Sequence, residues 1–201
     1  KGGFAYIGSF NVTLYLTGSR FLQNNGSHKG GVIYVNDFMQ YALIQITNCT
    51  FSHNFANRGG VLFITIYQHV HPYVQVTIKN TVLNNNTAFL GGALHVTFVT
   101  ALVISYCVLH QNRQVLDPWK ADYSGGAVYL QHVQNVTISF SSFYNNLAAV
   151  RGGCLSFENI SHVQISFSSF HSNTAMDMGG VIYAKFIRQI TSIYSVYLHN
   201  I

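Results

Sequence analysis

Gly125-Gly126-Ala127-Val128-Tyr129-Leu130 and, 27 residues later, Gly152-Gly153-Cys154-Leu155-Ser156-Phe157 decide how this chain folds. In each stretch a glycine pair opens an apolar run. The same pair recurs at Gly2-Gly3, Gly30-Gly31, Gly59-Gly60, Gly91-Gly92 and Gly179-Gly180, with successive spacings of 28, 29, 32, 34, 27 and 27 residues. Seven pairs hold 14 of the 17 glycines, so the repeat is the organising feature of the chain. The fourth and sixth positions of each run are aliphatic or aromatic in nearly every copy. The fifth reads Tyr6, Tyr34, Phe63, His95, Tyr129, Ser156 and Tyr183. Such period-two alternation marks a strand with two distinct faces.

A second strand follows, clearest in Val136–Phe140 (VTISF) and Val163–Phe167 (VQISF). A third element places an apolar residue three before an Asn: Phe21/Asn24, Phe51/Asn54, Leu83/Asn86, Leu109/Asn112, Phe143/Asn146, Phe170/Asn173 and Tyr197/Asn200. Four copies continue to Ala two residues on, at Ala56, Ala88, Ala148 and Ala175. Each unit of about 27 residues then holds three short strands and three turns. Strands so short bury no core alone, but wound into a coil each pairs with its copy ~4.8 Å above and below. The pattern predicts an all-β, right-handed parallel β-helix of about seven coils. Phe and Leu columns fill its interior. A ladder of Asn24, Asn54, Asn86, Asn112, Asn146, Asn173 and Asn200 passes side-chain hydrogen bonds between coils. A propeller or sandwich would need frequent hairpin signals, and only Asn25-Gly26 occurs.

Composition agrees. Only 7% of the 201 residues are charged, against ~25% in ordinary soluble domains, while 49% are hydrophobic. Helices that carry Glu and Lys on a wet face are disfavoured. Residues 1–201 are read as one solenoid domain, a fragment of something longer, since the chain opens on Lys1 and then repeat material. The net charge of +5 reflects scarce acids rather than basic runs, so no nucleic-acid partner is expected. No transmembrane segment is expected either. The most apolar stretch, Ala93–Leu109, is broken by His95, Thr97, Thr100 and Ser105.

The pairing of GGA(V/I) with F-x-x-N-x-A resembles the right-handed parallel β-helix repeats of the pectin-lyase-like superfamily. It is most similar to the GGAI/FxxN repeats of chlamydial polymorphic outer membrane proteins and related eukaryotic extracellular proteins. The resemblance covers the whole chain and implies a surface or secreted adhesion protein. It is specific for fold and weak for function, because the fold hosts lyases, hydrolases, adhesins and inert scaffolds.

Cys49 and Cys107 take the same place in their repeats, with Thr81, Ser141 and Ser168 in others. They lie two coils apart, ~10 Å, beyond the ~7 Å Cα reach of a disulfide. Cys154 sits in a different strand, so buried thiols are expected. Sequons occur at Asn11, Asn25, Asn48, Asn85, Asn135 and Asn159, consistent with a secreted glycoprotein.

Catalysis on such a fold needs clustered charge. The five acids are Asp37, Asp117, Asp122, Glu158 and Asp177, and only Asp117 and Asp122 share a loop. No catalytic residue, metal site or cofactor is expected. His69 and His71 could face one way, but no third ligand accompanies them. Two loops break the winding, Tyr67–Tyr73 and residues 113–124, the latter holding Trp119 with Arg113, Lys120 and Tyr123. Trp119 either covers the coil or stacks on a sugar. Tyr6, Tyr34, Phe63, Tyr129 and Tyr183 should project outward as an aromatic stripe. The stripe could bind a polysaccharide, pack on a neighbouring solenoid or lie under a loop. Lys29, Arg58 and Arg151 align just before glycine pairs.

The terminal coils show no cap, so end-to-end pairing with further copies is one expected partnership, giving filaments. Another extracellular protein or a glycan is the other. The leading expectation is a non-catalytic extracellular scaffold or adhesion protein. The alternative is a polysaccharide-binding module or a carbohydrate-active enzyme whose catalytic cluster lies outside this stretch.

Overall fold

A computed structural model describes residues 3–8, 11–37, 41–66, 73–116 and 124–201. Its strands pair in parallel throughout and form three sheets of twelve, seven and six strands. Register is kept from coil to coil. Leu62, Leu94, Val128, Leu155 and Ile182 stand directly above one another. The chain is therefore a parallel β-solenoid of about six turns.

Two details differ from the pattern read above. The turns number about six rather than seven. Each holds four strand segments rather than three, because the run after each ladder Asn also pairs. Phe55–Arg58, Thr87–Leu90, Arg113–Gln114 and Leu147–Ala148 belong to the six-stranded sheet. The Ala of F-x-x-N-x-A is the inward residue of that run, and Ala56, Ala88 and Ala148 are fully buried. Gln114 replaces Ala in one coil and stays buried because its Oε1 accepts from the Ala149 amide at 2.8 Å. The first and second strands share the twelve-stranded sheet. Leu155–Ser166 and Ile182–Ile193 run through both without a break.

Bends fall where the backbone turns left-handed. One such corner holds Phe98, His132, Asn159 and Phe186, and another holds Gln23, His53, Asn85, Gln111, Asn145, Ser172 and His199. The first glycine of each described pair is also left-handed, as at Gly59 with φ of 58°. The second glycine has a different reason. A Cβ on Gly60 would lie 2.3 Å from the Gly92 carbonyl oxygen of the next coil. One glycine supplies the turn and the other lets backbones stack closely.

The core is a set of columns. Phe21 stacks on Phe51 at 5.0 Å, and Phe143 on Phe170 at 4.8 Å. Each buried Phe or Leu contributes ~1.5–3 kcal/mol, and the column places one in each coil from Phe21 to Phe170. Beside it runs the Asn ladder. Asn112 accepts from the Asn86 amide and Asn86 Nδ2 at 3.1 and 3.0 Å. It donates to Asn146 Oδ1 at 3.1 Å and to the Leu83 carbonyl at 2.8 Å. The same pattern links Asn24, Asn54, Asn86, Asn112, Asn146, Asn173 and Asn200. Each buried amide is thus satisfied by the coils on either side.

A second ladder uses the cysteine column. The Cys49 amide donates to Thr81 Oγ1 at 3.3 Å, the Cys107 amide to Ser141 Oγ at 3.1 Å, and the Ser141 amide to Ser168 Oγ at 3.2 Å. Cys49, Cys107 and Cys154 are buried free thiols. Burial pushes the Cys107 thiol up to about 11, so it stays protonated at neutral pH.

Candidate functional site

The fifth-position column is in register but it is not an exposed stripe. Tyr6 stands over Tyr34 at 5.1 Å, Tyr34 over Phe63 at 5.2 Å, Phe63 over His95 at 4.6 Å and His95 over Tyr129 at 5.0 Å. Tyr34, Phe63, His95 and Tyr129 are buried, Tyr183 is half-buried, and only Tyr6 is exposed. Alternation sent these rings away from the core correctly. In three coils the residue before the glycine pair, Lys29, Leu90 or Arg151, packs against them. The Lys29 ammonium lies 5.3 Å from the Tyr34 ring centre and 5.0 Å from that of Phe63. Leu90 packs with Tyr129, and the Arg151 guanidinium sits 5.2 Å from the Tyr183 ring centre. Lys29, Arg58 and Arg151 do align just before glycine pairs, but Lys29 and Arg151 lie against aromatic rings rather than forming an open basic row.

His95 is fully buried between two rings, with no hydrogen-bond partner for Nδ1. Burial first, then the Arg58 and Lys29 charges, hold its imidazole well below the ordinary histidine range. Tyr129 donates to Glu158 Oε2 at 2.9 Å, and burial with that carboxylate pushes the phenol up. Asp177 meets Arg151 Nε at 3.4 Å. The acids with described side chains are thus each tied to a neighbour. Among the described residues no three His, Cys, Asp or Glu gather as metal ligands. Trp119, His69, His71, Asp117, Lys120, Asp122 and Tyr123 lie outside the described residues.

The sequon asparagines Asn11, Asn25, Asn48, Asn135 and Asn159 are exposed, while Asn85 is half-buried. Asn85 turns away from the ladder slot held by Asn86, and its Nδ2 donates to Gln111 Oε1 at 3.5 Å.

A surface feature that the sequence reading missed is more pronounced. At the end of the second strand one left-handed corner holds, coil after coil, Gly18, Asn48, Asn80, Tyr106, Phe140, Phe167 and Tyr194. The first three suit that backbone. The last four are bulky aromatics at φ between 48° and 53°. They stack almost face to face: Tyr106 on Phe140 at 4.9 Å and 6°, Phe140 on Phe167 at 5.0 Å and 3°, Phe167 on Tyr194 at 5.1 Å and 21°. Their exposures are 52%, 48%, 51% and 79%. An open groove lined by these rings also includes Ser142 and Ser169. Four residues further on, at the end of the next strand segment, His110, Tyr144 and His171 form a further stack at 4.7 and 4.9 Å. The signal was present in VTISF and VQISF, whose final Phe recurs at one coil spacing.

The exposed ladder is the strongest candidate site on the described surface. It pairs strain with solvent-facing apolar area, and neither serves the core. A bulky residue at positive φ is uncommon, and such outliers gather where function holds them. No family model matches the chain, and neither a curated protein nor a solved structure matches it.

Proposed function

We infer that the protein is a non-catalytic extracellular β-solenoid scaffold that adheres through its aromatic ladder to a second copy of the same surface. The ladder of Tyr106, Phe140, Phe167 and Tyr194 carries this reading. Each left-handed aromatic costs ~1 kcal/mol relative to Gly or Asn at the same corner. Coils that carry Gly18, Asn48 and Asn80 there make the turn without that cost.

Geometry favours protein over sugar. A pyranose stacks on a ring face, but the faces here cover one another at about 5 Å. What remains outward is a ridge of ring edges with ribs at the coil spacing. A parallel β-solenoid offers ribs of the same spacing, so two copies related by a two-fold axis can interlock rib into groove. Four half-exposed rings supply roughly 300–500 Å². A standard interface buries ~800 Å² per partner. Single contacts are therefore weak, and adhesion arises when many copies are displayed together.

The extracellular part of the reading is supported by five exposed sequon asparagines and a surface poor in charge. The resemblance of the repeat to pectin-lyase-like β-helices, and to polymorphic outer membrane protein repeats, points the same way.

Beads coated with the chain test the proposal. Wild-type beads are expected to cluster. Beads carrying F140G/F167G are expected to stay dispersed while keeping the wild-type circular dichroism, because Gly already holds this corner at Gly18. Dispersed wild-type beads, or clustering by the double variant, would sink the idea.

A further inference from the structure

The fifth-position column is continuous from Tyr6 to Tyr129 and then breaks at Ser156. The next member, Tyr183, resumes it one coil later, because Tyr129, Ser156 and Tyr183 are successive register partners. A gap of about 150 Å³ lies at the break, lined by Tyr129, Tyr183, Ser124, Ser156, Arg151, Glu158 and Lys185. A cavity of ~150 Å³ is known to admit one benzene ring. The flanking rings are two coil steps apart, ~10 Å. A ring midway would stand ~5 Å from each, as His95 does at 4.6 and 5.0 Å from its own neighbours.

The repeat also says what the outer edge of such a ring would meet. Two coils show how a phenol sits in this column. In one, Lys29, five residues before Tyr34, donates Nζ to the Tyr34 hydroxyl at 3.3 Å. Arg151 stands five residues before Ser156. In the other, the Tyr129 hydroxyl reaches Glu158 in the next coil, and one coil further the same place is Lys185. A phenol oxygen at the Ser156 rung thus has two cations placed as its sister coils place their partners.

We propose that the gap over Ser156 binds a small phenolic ring, which completes the aromatic column with its oxygen toward Arg151 and Lys185. This site is independent of the exposed ladder and of adhesion. Tyr129 and Tyr183 form the two faces, Ser156 leaves the space, and the cations favour the phenol oxygen over a plain hydrocarbon.

Thermal unfolding of the 201-residue chain with p-cresol is the test. With p-cresol at about five times its Kd, Tm is expected to rise by roughly 2–4 °C. S156Y fills the rung from within, so it is expected to fold and show no shift. R151M/K185M leaves the gap open and is expected to weaken p-cresol binding about tenfold, which keeps the test decisive if S156Y fails to fold. N-acetyltyrosinamide separates the sources of the ring. Binding of p-cresol alone assigns the gap to a free phenol, and binding of both assigns it to a tyrosine side chain. An unchanged wild-type Tm in p-cresol, a folded S156Y that still binds it, or unaltered affinity in R151M/K185M would each overturn the proposal.

Discussion

At the residue scale, His95 shows how burial makes a side chain sensitive to pH. Its ring lies between Phe63 and Tyr129, with Arg58 and Lys29 nearby, and its imidazole is held well below 6.5. The unfolded chain therefore binds more protons at this site once pH falls below ~6.5. Stability from the neutral ring is fully present above that value. It is lost on acidification at about 1.4 kcal/mol per pH unit until the folded pKa is reached. Urea titrations at pH 7.5 and pH 5 should show a lower midpoint at pH 5. H95F, which repeats Phe63 of the preceding coil, should lose distinctly less. Equal losses would mean that other groups set the pH dependence. Single residues were only partly legible. The alternation of GGALHV placed His95 on the face away from the core, and that was correct. What covers that face is Lys29, Leu90 and Arg151, which arrive from the paired segment just before a glycine pair. Alternation along a strand carries no information about what lies above it. The left-handed aromatics were hidden for a different reason. Such corners advertise themselves as Gly or Asn, and Phe140 and Phe167 break that rule.

At the element scale, the Asn ladder was readable outright because identical residues recur at one coil spacing. Asn112 sits mid-ladder and fully buried. Replacing it with Ala strands the Asn86 side-chain donor, its amide and the Leu83 carbonyl together. At ~1–3 kcal/mol per buried unsatisfied group, N112A should cost at least about 3 kcal/mol. Asn24 is the contrast. It is half-buried, and Asn54 Oδ1 still receives the residue 24 amide after truncation. N24A should cost about 1 kcal/mol. Chemical denaturation of the two variants checks the ratio, and similar losses would remove the ladder as a cooperative element. The fourth strand segment of each coil was less legible. Thr87–Leu90 and Leu147–Ala148 are too short to show a period, and only the recurring Ala hinted at an inward position. The merging of first and second strands into one sheet was not legible either. It depends on how far the chain bends at Phe98, His132, Asn159 and Phe186.

At the scale of the whole molecule, each coil touches only its neighbours, so stability is approximately a sum of coil and interface contributions. That makes the chain divisible at one length only. Removing Gly125–Arg151 deletes one complete coil and joins Ser124 to Gly152. Leu109 would then stand beneath Phe170, Asn112 beneath Asn173, and Tyr106 beneath Phe167. The Phe/Leu, Asn and left-handed aromatic columns keep their chemistry and both hydrogen-bond ladders reconnect, while the fifth-position column loses Tyr129. Removing Gly125–Ile138 instead joins Ser124 to Ser139, which puts a second-strand residue where a glycine pair must turn. The full-coil deletion is expected to keep a strand-type circular dichroism spectrum. Its urea m-value should fall roughly in proportion to the lost surface. The half-coil deletion is expected to lose the cooperative transition, because Phe and Asn columns would face corners and the second glycine's close approach would be filled by a side chain. If both deletions melted alike, column identity would not be what holds the solenoid together, and the seven recurring glycine pairs would need another cause.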